Sequence, residues 1–249
     1  MIIDMPRNTD QLRRLWKQAF GDTDAFLDCF FQAAYAPHRC RCVYDGDTLA
    51  AMLYWFDCTW EDKKLAYLYA VATDVAFRGQ GVCRRLIEDT HRHLNALGYD
   101  GSILVPRTEA LFSMYEKLGY AACSCVRNFT CQAGEPLPLR KIGGEEYATL
   151  RRQFLPENAV VQEGETLALL QTYSAFYTGE NVLLAMYVEE GKCTVCELLG
   201  DRSAAPGVVA ALGYREAKVR TPGRQTPFAM YHSFTDDLTA PGYFGIALD

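Results

Sequence analysis

The chain has 249 residues, of which 49% are hydrophobic and 22% are charged, and its formal net charge is −6. This composition is ordinary for a globular protein and excludes a largely disordered chain. The acidic balance gives no long-range attraction to nucleic acid or to an anionic membrane, and it favours cationic partners. The longest apolar run, Leu65–Ala72, is too short to span a bilayer, and Met1–Pro6 lacks the features of a targeting segment. We therefore expect a cytoplasmic protein.

Hydrophobic periodicity and turn residues predict an alternation of helices and strands in the first half of the chain. The predicted helices are residues 11–20, 24–35, 82–97 and 108–118, and the predicted strands are 41–44, 48–60, 65–73, 102–105 and 122–131. The strand over 65–73 is apolar throughout and is expected to be buried on both faces. This order of elements predicts a mixed α/β fold around a central sheet, which we assign to a domain of residues 1–133.

A linker over residues 134–138 separates a second predicted domain, residues 140–249. Its predicted helices are 145–154, 165–177 and 207–212, and its predicted strands are 181–188, 192–199, 215–220 and 228–234. Leu118-Gly119-Tyr120 and Leu212-Gly213-Tyr214 both follow a helix and precede a strand. The repeated order of events predicts that the second domain is a further copy of the same fold.

The ten cysteines form one CxxC, at Cys193 and Cys196, and two CxC pairs in strand-like sequence. A zinc site needs about four ligands in two matched pairs. The four histidines show no ligand spacing relative to these cysteines. We therefore expect buried or half-buried thiols and no metal site.

The segment with the clearest chemistry is the strand that ends at Thr73 and the glycine loop that follows it, Arg-Gly-Gln-Gly-Val-Cys at residues 78–83. A strand that ends in such a loop at a helix N-terminus presents converging N–H groups and a partial positive charge to an anion. Glycine allows the backbone to approach a pyrophosphate, and Arg78 and Arg84 add charge-assisted contacts. The alternative is an ordinary turn between strand and helix.

Two motifs together resemble the GNAT acetyltransferase superfamily. Residues 73–83 resemble its motif A, Q/R-x-x-G-x-G/A, through Arg78, Gly81 and Cys83, and Tyr115–Tyr120 resembles its YEKLGF segment, 37 residues after Arg78. The resemblance covers about residues 1–132, and residues 104–115 look closest to the multidomain enhanced-intracellular-survival branch. It implies a GNAT fold followed by a second, degenerate GNAT-like lobe. Cys83 in place of Gly or Ala, and Thr108 where many members have Asn, depart from the pattern.

The resemblance implies that acetyl-CoA is the cosubstrate and assigns residues to it. The backbone of Thr73 and Val75 would pair with the pantetheine arm. Tyr115 would lie beside the thioester sulfur, where a phenol with a reference pKa of about 10 can protonate a thiolate whose conjugate acid is near 8.5. The alternative for Tyr115 is an aromatic residue of the core. The residues expected around the pyrophosphate are Arg78, Gly79, Gln80, Gly81, Val82, Cys83 and Arg84.

The group that deprotonates the acceptor is less well defined, since the strand 65–73 contains no acidic residue. Asp57, Glu61 and Asp74 are candidates, and a water relay is equally compatible. The C-terminal segment carries Tyr243, Phe244, Ile246 and Leu248, which are too apolar for a frayed tail, so we expect it to be docked. Asp249 would then bring two carboxylates towards a cationic amine. The alternative is a tail that only packs against the second lobe.

The sequence therefore predicts an acetyl-CoA-dependent N-acetyltransferase that acts on a small-molecule or peptide amine. The first alternative is a non-catalytic acyl-CoA-binding or regulatory module, and a weaker one is a tandem-fold transferase of aminoacyl groups. One acetyl-CoA per chain is expected, because residues 201–207 are broken by proline where a second phosphate loop would have to open a helix. The expected partner is a cationic amine, with no nucleic acid or membrane, and a homodimer is left open.

Overall fold

The computed structural model describes residues 1–237 and 239–248. Within these ranges the helices alternate with strands, as the hydrophobic periodicity predicts. They are α1 (Thr9–Phe20), α2 (Asp24–Ala33), α3 (Val82–Ala96), α4 (Glu109–Glu116), α5 (Gly144–Phe154), α6 (Glu165–Tyr173) and α7 (Ala205–Ala211), with short 3₁₀ turns at Pro37–Arg39, Val75–Phe77 and Arg202–Ala204. None of the helices in these ranges has both the length and the apolar composition needed to cross a lipid bilayer.

The strands are numbered in chain order. They are β1 (Ile2–Asp4), β2 (Cys40–Asp45), β3 (Thr48–Trp60), β4 (Lys63–Thr73), β5 (Gly101–Leu104), β6 (Ala121–Gln132), β7 (Arg140–Ile142), β8 (Val161–Gln162), β9 (Ala175–Gly179), β10 (Val182–Glu189), β11 (Lys192–Gly200), β12 (Glu216–Pro222) and β13 (Thr226–Ser233).

The chain divides into two compact units, and each contains a mixed sheet. The first unit comprises Met1–Ala121 and Met230–Ala240, and the second comprises residues 122–229 and the chain from 241. Strand order is β1-β2-β3-β4-β5-β13 in the first unit and β6-β12-β11-β10-β9-β7 in the second. The predicted mixed α/β fold in tandem is confirmed. The predicted domain limits, 1–133 and 140–249, stay a prediction. In the structure, β6, which the prediction places in the first domain, pairs with β12 of the second unit. Residues 230–233 of β13, which the prediction places in the second domain, pair with β5 of the first unit.

Aromatic packing holds α1 and α2 against one face of β3 and β4. Asn8 caps α1 by accepting a hydrogen bond from the N–H of Asp10 at 2.7 Å. The ring of Trp16 lies 4.6 Å from that of Phe30 on α2 and 5.5 Å from that of Tyr69 on β4.

Helix α3 covers the opposite face of the same strands with an apolar stripe. Leu86 and Leu94 of this helix are fully buried, as are Leu53 and Ala66 of the strands beneath it. A core therefore lies on each side of β3 and β4, which confirms the two-sided burial predicted for the first part of the β4 segment. From Tyr69 to Thr73, buried and half-buried residues alternate.

The predicted helix over 165–177 is too long. It ends at Tyr173, and Ala175–Gly179 forms β9, which pairs with both β10 and β7. The apolar run through this region fits a helix and a buried strand equally well. Pairing with β10, which comes later in the chain, makes residues 175–179 a strand.

The predicted repeat is present, but its alignment differs from the sequence-based one. Leu212-Gly213-Tyr214 ends α7, which connects the parallel strands β11 and β12. Its topological counterpart is Leu97-Gly98-Tyr99, which ends α3 between the parallel strands β4 and β5. The N–H of Tyr99 donates to the carbonyl of Leu94 at 3.1 Å, and that of Tyr214 donates to Val209 at 3.2 Å. The match predicted with residues 118–120 was wrong. Leu-Gly-Tyr occurs at 97–99, 118–120 and 212–214, so the tripeptide alone does not show which two turns correspond.

The C-terminal segment is docked within the second unit, as predicted. Tyr243, Phe244, Ile246 and Leu248 are each at most 3% exposed. The N–H of Phe244 donates to Ser124 Oγ at 2.9 Å, which ties the backbone of the segment to β6. Asp249, which the sequence suggested as an acceptor-site residue, lies outside the described residues.

Candidate functional site

The parallel pair β4 and β5 separates part of the way along its length. Residues pair from Leu65 and Gly101 to Tyr67 and Ile103, after which β5 ends at Leu104. Strand β4 continues to Thr73, so its last six residues extend beyond their pairing with β5. The carboxyl end of a parallel strand at such a divergence is a common place for a ligand to bind.

A β-bulge interrupts β4 within this diverging section. Tyr54 of β3 pairs with Tyr69, whereas Met52 pairs with Ala72, so that Leu53 faces two residues of β4. Ala70 has φ of +50°, a conformation that L-residues rarely adopt. The sequence analysis missed this feature, since no glycine marks it. A bulge redirects the strand beyond it, here towards the loop that follows Thr73.

The glycine loop is open on its outer side. Gly79 and Gly81 have φ of +73° and +76°, and an added Cβ at either position would meet no atom within 4 Å. Gly81 is the N-cap of α3, and no side chain caps this end. The N–H groups of Val82, Cys83 and Arg84 occupy the first turn, where a helix offers them no acceptor. The loop and the helix end therefore present donors and a partial positive charge to solvent.

Hydrogen bonds hold the loop in this shape. Arg78 Nε donates to the carbonyl of Thr73 at 3.1 Å, and Gln80 Nε2 donates to that of Ala76 at 2.9 Å. Arg84 Nη2 donates to the carbonyl of Lys117 at 3.1 Å, which ties α3 to the turn after α4. The side chains of Arg78, Gln80 and Arg84 thus shape the loop, in addition to any contact they make with a ligand.

Val75 differs from its predicted environment. It lies in a 3₁₀ turn rather than in the strand, and its N–H donates to Gln18 Oε1 at 3.3 Å. Of the two residues predicted to pair with a pantetheine arm, Thr73 alone belongs to β4. The 3₁₀ turn begins at Asp74, whose Oδ1 accepts from the N–H of Ala76 at 2.9 Å.

Cys83 and Tyr115, which are 32 positions apart, are brought together beneath the loop. Burial raises the pKa of the Cys83 thiol, which is opposed by a hydrogen bond to Thr73. Burial also raises the pKa of Tyr115, and the nearby Cys83 adds to this increase. Cys83 therefore packs against the core below the loop.

Tyr115 is 6% exposed and lies one residue before the end of α4. Within the described residues its hydroxyl forms no hydrogen bond. Because its pKa is raised, the phenol keeps its proton through the neutral range. The Tyr115 hydroxyl is therefore a proton donor that is not engaged in a hydrogen bond with a described protein group. Thr108 caps α4 by accepting from the N–H of Leu111 at 3.3 Å.

The carboxylates suggested as bases are already engaged or distant along the chain. Asp57 accepts from Arg39 Nη2 at 2.8 Å and from the Tyr99 hydroxyl at 2.5 Å. Asp74 caps the 3₁₀ turn. Glu61 is exposed in the turn between β3 and β4, at the opposite end of β4 from Thr73.

A polar cluster that the sequence analysis did not identify lies behind Tyr115. Ser102 of β5, His91 of α3 and Tyr120 after α4 form mutual hydrogen bonds of 2.7 to 3.2 Å. Burial lowers the pKa of His91 to about 3, with a smaller effect from His232. The signal in the sequence was His91, four residues after Ile87 on the apolar stripe of α3.

Comparisons with known proteins concern the family and the fold. Residues 6–123 match the family model described as an acetyltransferase (GNAT) domain. Residues 6–123 form a GNAT acetyltransferase domain. No curated protein matches the chain.

Solved structures share the fold of the GNAT domain and of the unit that follows it. A GCN5-related N-acetyltransferase from Kribbella flavida is 18% identical, with a TM-score of 0.68 over 92% of this chain and 70% of that chain. Eis1 from Mycobacterium abscessus is 10% identical, with a TM-score of 0.68 over 94% of this chain and 74% of that chain. A GCN5-related N-acetyltransferase from Anabaena variabilis is 14% identical, with a TM-score of 0.68 over 92% and 72%. At these identities the likeness concerns the fold.

Among the described residues, no group of three or more His, Cys, Asp or Glu side chains is placed to hold a metal ion. The ten cysteines are free thiols. Cys193 and Cys196, the CxxC pair, are both buried in β11.

Proposed function

We propose that this protein is an N-acetyltransferase that transfers an acetyl group directly from acetyl-CoA to an amine. The observation that carries the proposal is the open glycine loop at the N-terminus of α3, together with the nearby phenol of Tyr115. Cys83, in the first turn of α3, lies near Tyr115 and connects the two. Acyl transfer in general is supported by the GNAT domain and by the neighbours described as N-acetyltransferases.

The cosubstrate is proposed to bind along β4 and the loop. The N–H groups from Gly79 to Arg84 hold the pyrophosphate, because they are unpaired donors at the positive end of a helix dipole. The pantetheine arm extends from there beside Thr73, along the section of β4 that has diverged from β5. An extended chain that adds to a strand in this way gains main-chain hydrogen bonds.

In the reaction, the neutral amine attacks the thioester carbonyl and a C–N bond forms, the C–S bond breaks, and the nitrogen, which becomes positively charged, releases a proton to water to give the amide. The leaving thiolate takes the proton of the Tyr115 hydroxyl, and the phenolate regains a proton from solvent. A phenol is protonated at neutral pH with or without burial, so Tyr115 carries its proton before the transfer; the raised pKa makes it a weaker acid and not a stronger one. General acid catalysis of this kind is typically worth about 10²- to 10⁴-fold in rate.

The acceptor is proposed to be a cationic amine, in keeping with the net charge of −6. It must lose a proton before it attacks. Since Asp57 and Asp74 already accept hydrogen bonds from protein donors, water is the better proposal for the first acceptor of that proton. Asp249 remains a proposal for attracting the amine.

The test is Tyr115→Phe. We expect kcat to fall by about 10²- to 10⁴-fold while the Kd for acetyl-CoA stays within about twofold, because the hydroxyl acts on the leaving sulfur and not on the phosphates. Thiol release is measured against a panel of polyamines, aminoglycosides, amino acids and peptides, and Kd by calorimetry. Tyr214→Phe, in the second unit, is the control. An unchanged kcat in folded Tyr115→Phe would assign Tyr115 to core packing.

A second candidate is a non-catalytic acyl-CoA-binding module. The observation in its favour is the engagement of Asp57 by Arg39 and Tyr99, which leaves that carboxylate unavailable as a base. Binding of acetyl-CoA without turnover of any member of the panel would favour this candidate.

A further inference from the structure

The buried cluster of Ser102, His91 and Tyr120 connects three of the elements that form the proposed site. Ser102 belongs to β5, His91 to α3, and Tyr120 follows the turn after α4. The Tyr120 hydroxyl lies 2.7 Å from Ser102 Oγ and 2.8 Å from His91 Nε2, and Ser102 Oγ lies 3.2 Å from the same nitrogen. Three contacts among three polar groups make a closed network.

The cluster is neutral. Burial raises the pKa of Tyr120 well above its usual value, so this phenol keeps its proton, and burial lowers that of His91 to about 3. The neutral His91 ring carries one proton, so Nε2 either accepts from or donates to the two hydroxyls, according to the tautomer. The imidazole of His232 stacks on His91 with ring centroids 4.4 Å apart, and Phe234 packs at 5.1 Å, which shields the ring from water.

Tyr120 is coupled to Tyr115 in two ways. Its N–H donates to the carbonyl of Tyr115 at 3.1 Å, and the two rings meet edge to face with centroids 5.6 Å apart and an interplanar angle of 71°. Helix α4 ends one residue after Tyr115, so the helix itself gives this residue little support on its C-terminal side. The direction of the Tyr115 ring depends on the surface that Tyr120 presents to it.

We propose, building on the proposed function, that Tyr120 is a positioning residue for Tyr115, and that Ser102 and His91 hold it in place. Loss of the Tyr120 hydroxyl removes one of the two contacts that Ser102 and His91 each make in the network, and the network relaxes. The Tyr115 hydroxyl then points less accurately at the leaving sulfur. Small misplacements of a catalytic group are costly, so Tyr120→Phe lowers kcat by about 10- to 100-fold.

The acetyl-CoA site itself does not depend on the cluster. The loop is held by the bonds of Arg78 and Gln80 within residues 73–81 and by the bond from Arg84 to the carbonyl of Lys117, none of which involves a side chain of the cluster. Tyr120→Phe therefore leaves the Kd and KM for acetyl-CoA within about twofold while kcat falls. A general loss of structure would change these constants together.

The decisive experiment is a double-mutant cycle on the full chain with Tyr115→Phe, Tyr120→Phe and the combination, using single-turnover acetyl transfer. If Tyr120 acts through the Tyr115 hydroxyl, Tyr120→Phe has no further effect once that hydroxyl is gone. If the two effects multiply, Tyr120 acts independently and the proposal is overturned. Thermal unfolding and acetyl-CoA calorimetry of each variant monitor folding and binding.

The cycle separates this inference from the proposed function. A wild-type rate in Tyr115→Phe contradicts the acid role of Tyr115, whereas a slow Tyr115→Phe with a wild-type rate in Tyr120→Phe contradicts the positioning role alone. Should Tyr120→Phe fail to fold, Ser102→Ala carries the same cycle, since it removes the 2.7 Å contact and keeps both aromatic rings. It is expected to lower kcat in the same direction, and an unchanged kcat would overturn the proposal.

Discussion

The two units differ in the connection between a strand and the crossover helix that follows it. In the first, β4 ends in a 3₁₀ turn capped by Asp74, and in the second β11 ends in a 3₁₀ turn capped by Asp201, with N–H donors at 2.9 and 2.8 Å. The first unit then inserts residues 78–81 before the 15-residue α3. In the second, the seven-residue α7 follows directly. The turn is retained in both units, whereas the segment that we propose to bind phosphate belongs to the first unit alone.

The next connection also differs. In the first unit, β5 leads into α4, the helix that carries Tyr115, and then into β6. In the second, β12 leads through residues 223–225, all of which are described, straight into β13. The second unit thus repeats the strands and the crossover helix without the two segments to which we assign chemistry. The comparison teaches that the fold alone does not carry the proposed activity.

The buried polar groups continue this contrast. The first unit holds the neutral cluster around Tyr120. The second holds an ion pair, in which Glu197 accepts from Arg151 at 2.7 and 2.9 Å, from Tyr147 at 2.7 Å and from Tyr243 at 3.0 Å. We therefore expect the first network to affect catalysis and the second to affect stability.

The largest effect is expected for Gly81→Glu. A carboxylate at this open position repels the pyrophosphate and blocks the N–H groups, so the affinity for acetyl-CoA should fall by more than about 100-fold. Titration calorimetry of the wild type should show one site per chain.

Gly213→Glu is the matched control, because Gly213 has a similar φ of +83° and an equally open side. Both variants carry the same conformational cost of about 1–2 kcal/mol, but Gly213→Glu should bind acetyl-CoA normally. Two equivalent sites in the wild type, or a loss of binding in Gly213→Glu, would break the contrast between the units.

The second prediction concerns Arg151→Met, which leaves the fully buried Glu197 without its cation. The free energy of unfolding should fall by about 3–5 kcal/mol, since a buried charge loses its partner. Arg152→Met is the control on the same helix: its pair with Glu163 at 2.5 Å is 64% exposed on the arginine side, so solvent screens the pair and its loss should cost far less than that of Arg151. Urea denaturation measures both. A larger cost for Arg152→Met would show that the buried network does not stabilise the second unit.

The smallest effect is the loss of stability expected between pH 7.5 and pH 5.5. The pKa of His91 in the folded state is about 3, below the unfolded value of about 6.5, so the folded state binds fewer protons between these values. The first unit should therefore lose stability as the pH falls below about 6.5, by at most about 1.4 kcal/mol per unit, and this loss should end near pH 3.

Glu197 gives the second unit a different dependence. Burial alone would raise its pKa, but Arg151 and the tyrosine donors hold it below its usual value, so its contribution is present above about pH 4.5 and is lost only below that. Hydrogen exchange at pH 7.5 and 5.5, corrected for intrinsic rates, should show destabilisation confined to the first unit. His91→Gln should remove it, and equal losses in wild type and variant would contradict the assignment to His91.

The sequence by itself determined the order of most helices and of the longer strands, the glycine loop and the resemblance that named Tyr115. These features are local: side-chain periodicity sets the type of element, and Gly79 and Gly81 mark backbone at positive φ. Even the docked tail could be predicted, since its four apolar residues cannot stay in water.

Only the tertiary structure decided which distant residues meet. The bulge at Ala70 depends on the register of β3. The hydrogen bonds of Asp57 depend on the positions of Arg39 and Tyr99, and the cluster around Tyr120 depends on three separate elements. The exchange of β6 and β13 depends on which sheet edge each strand joins. A strand carries the same alternation of side chains whichever partner it pairs with, so periodicity leaves the partner open, and long-range packing selects it.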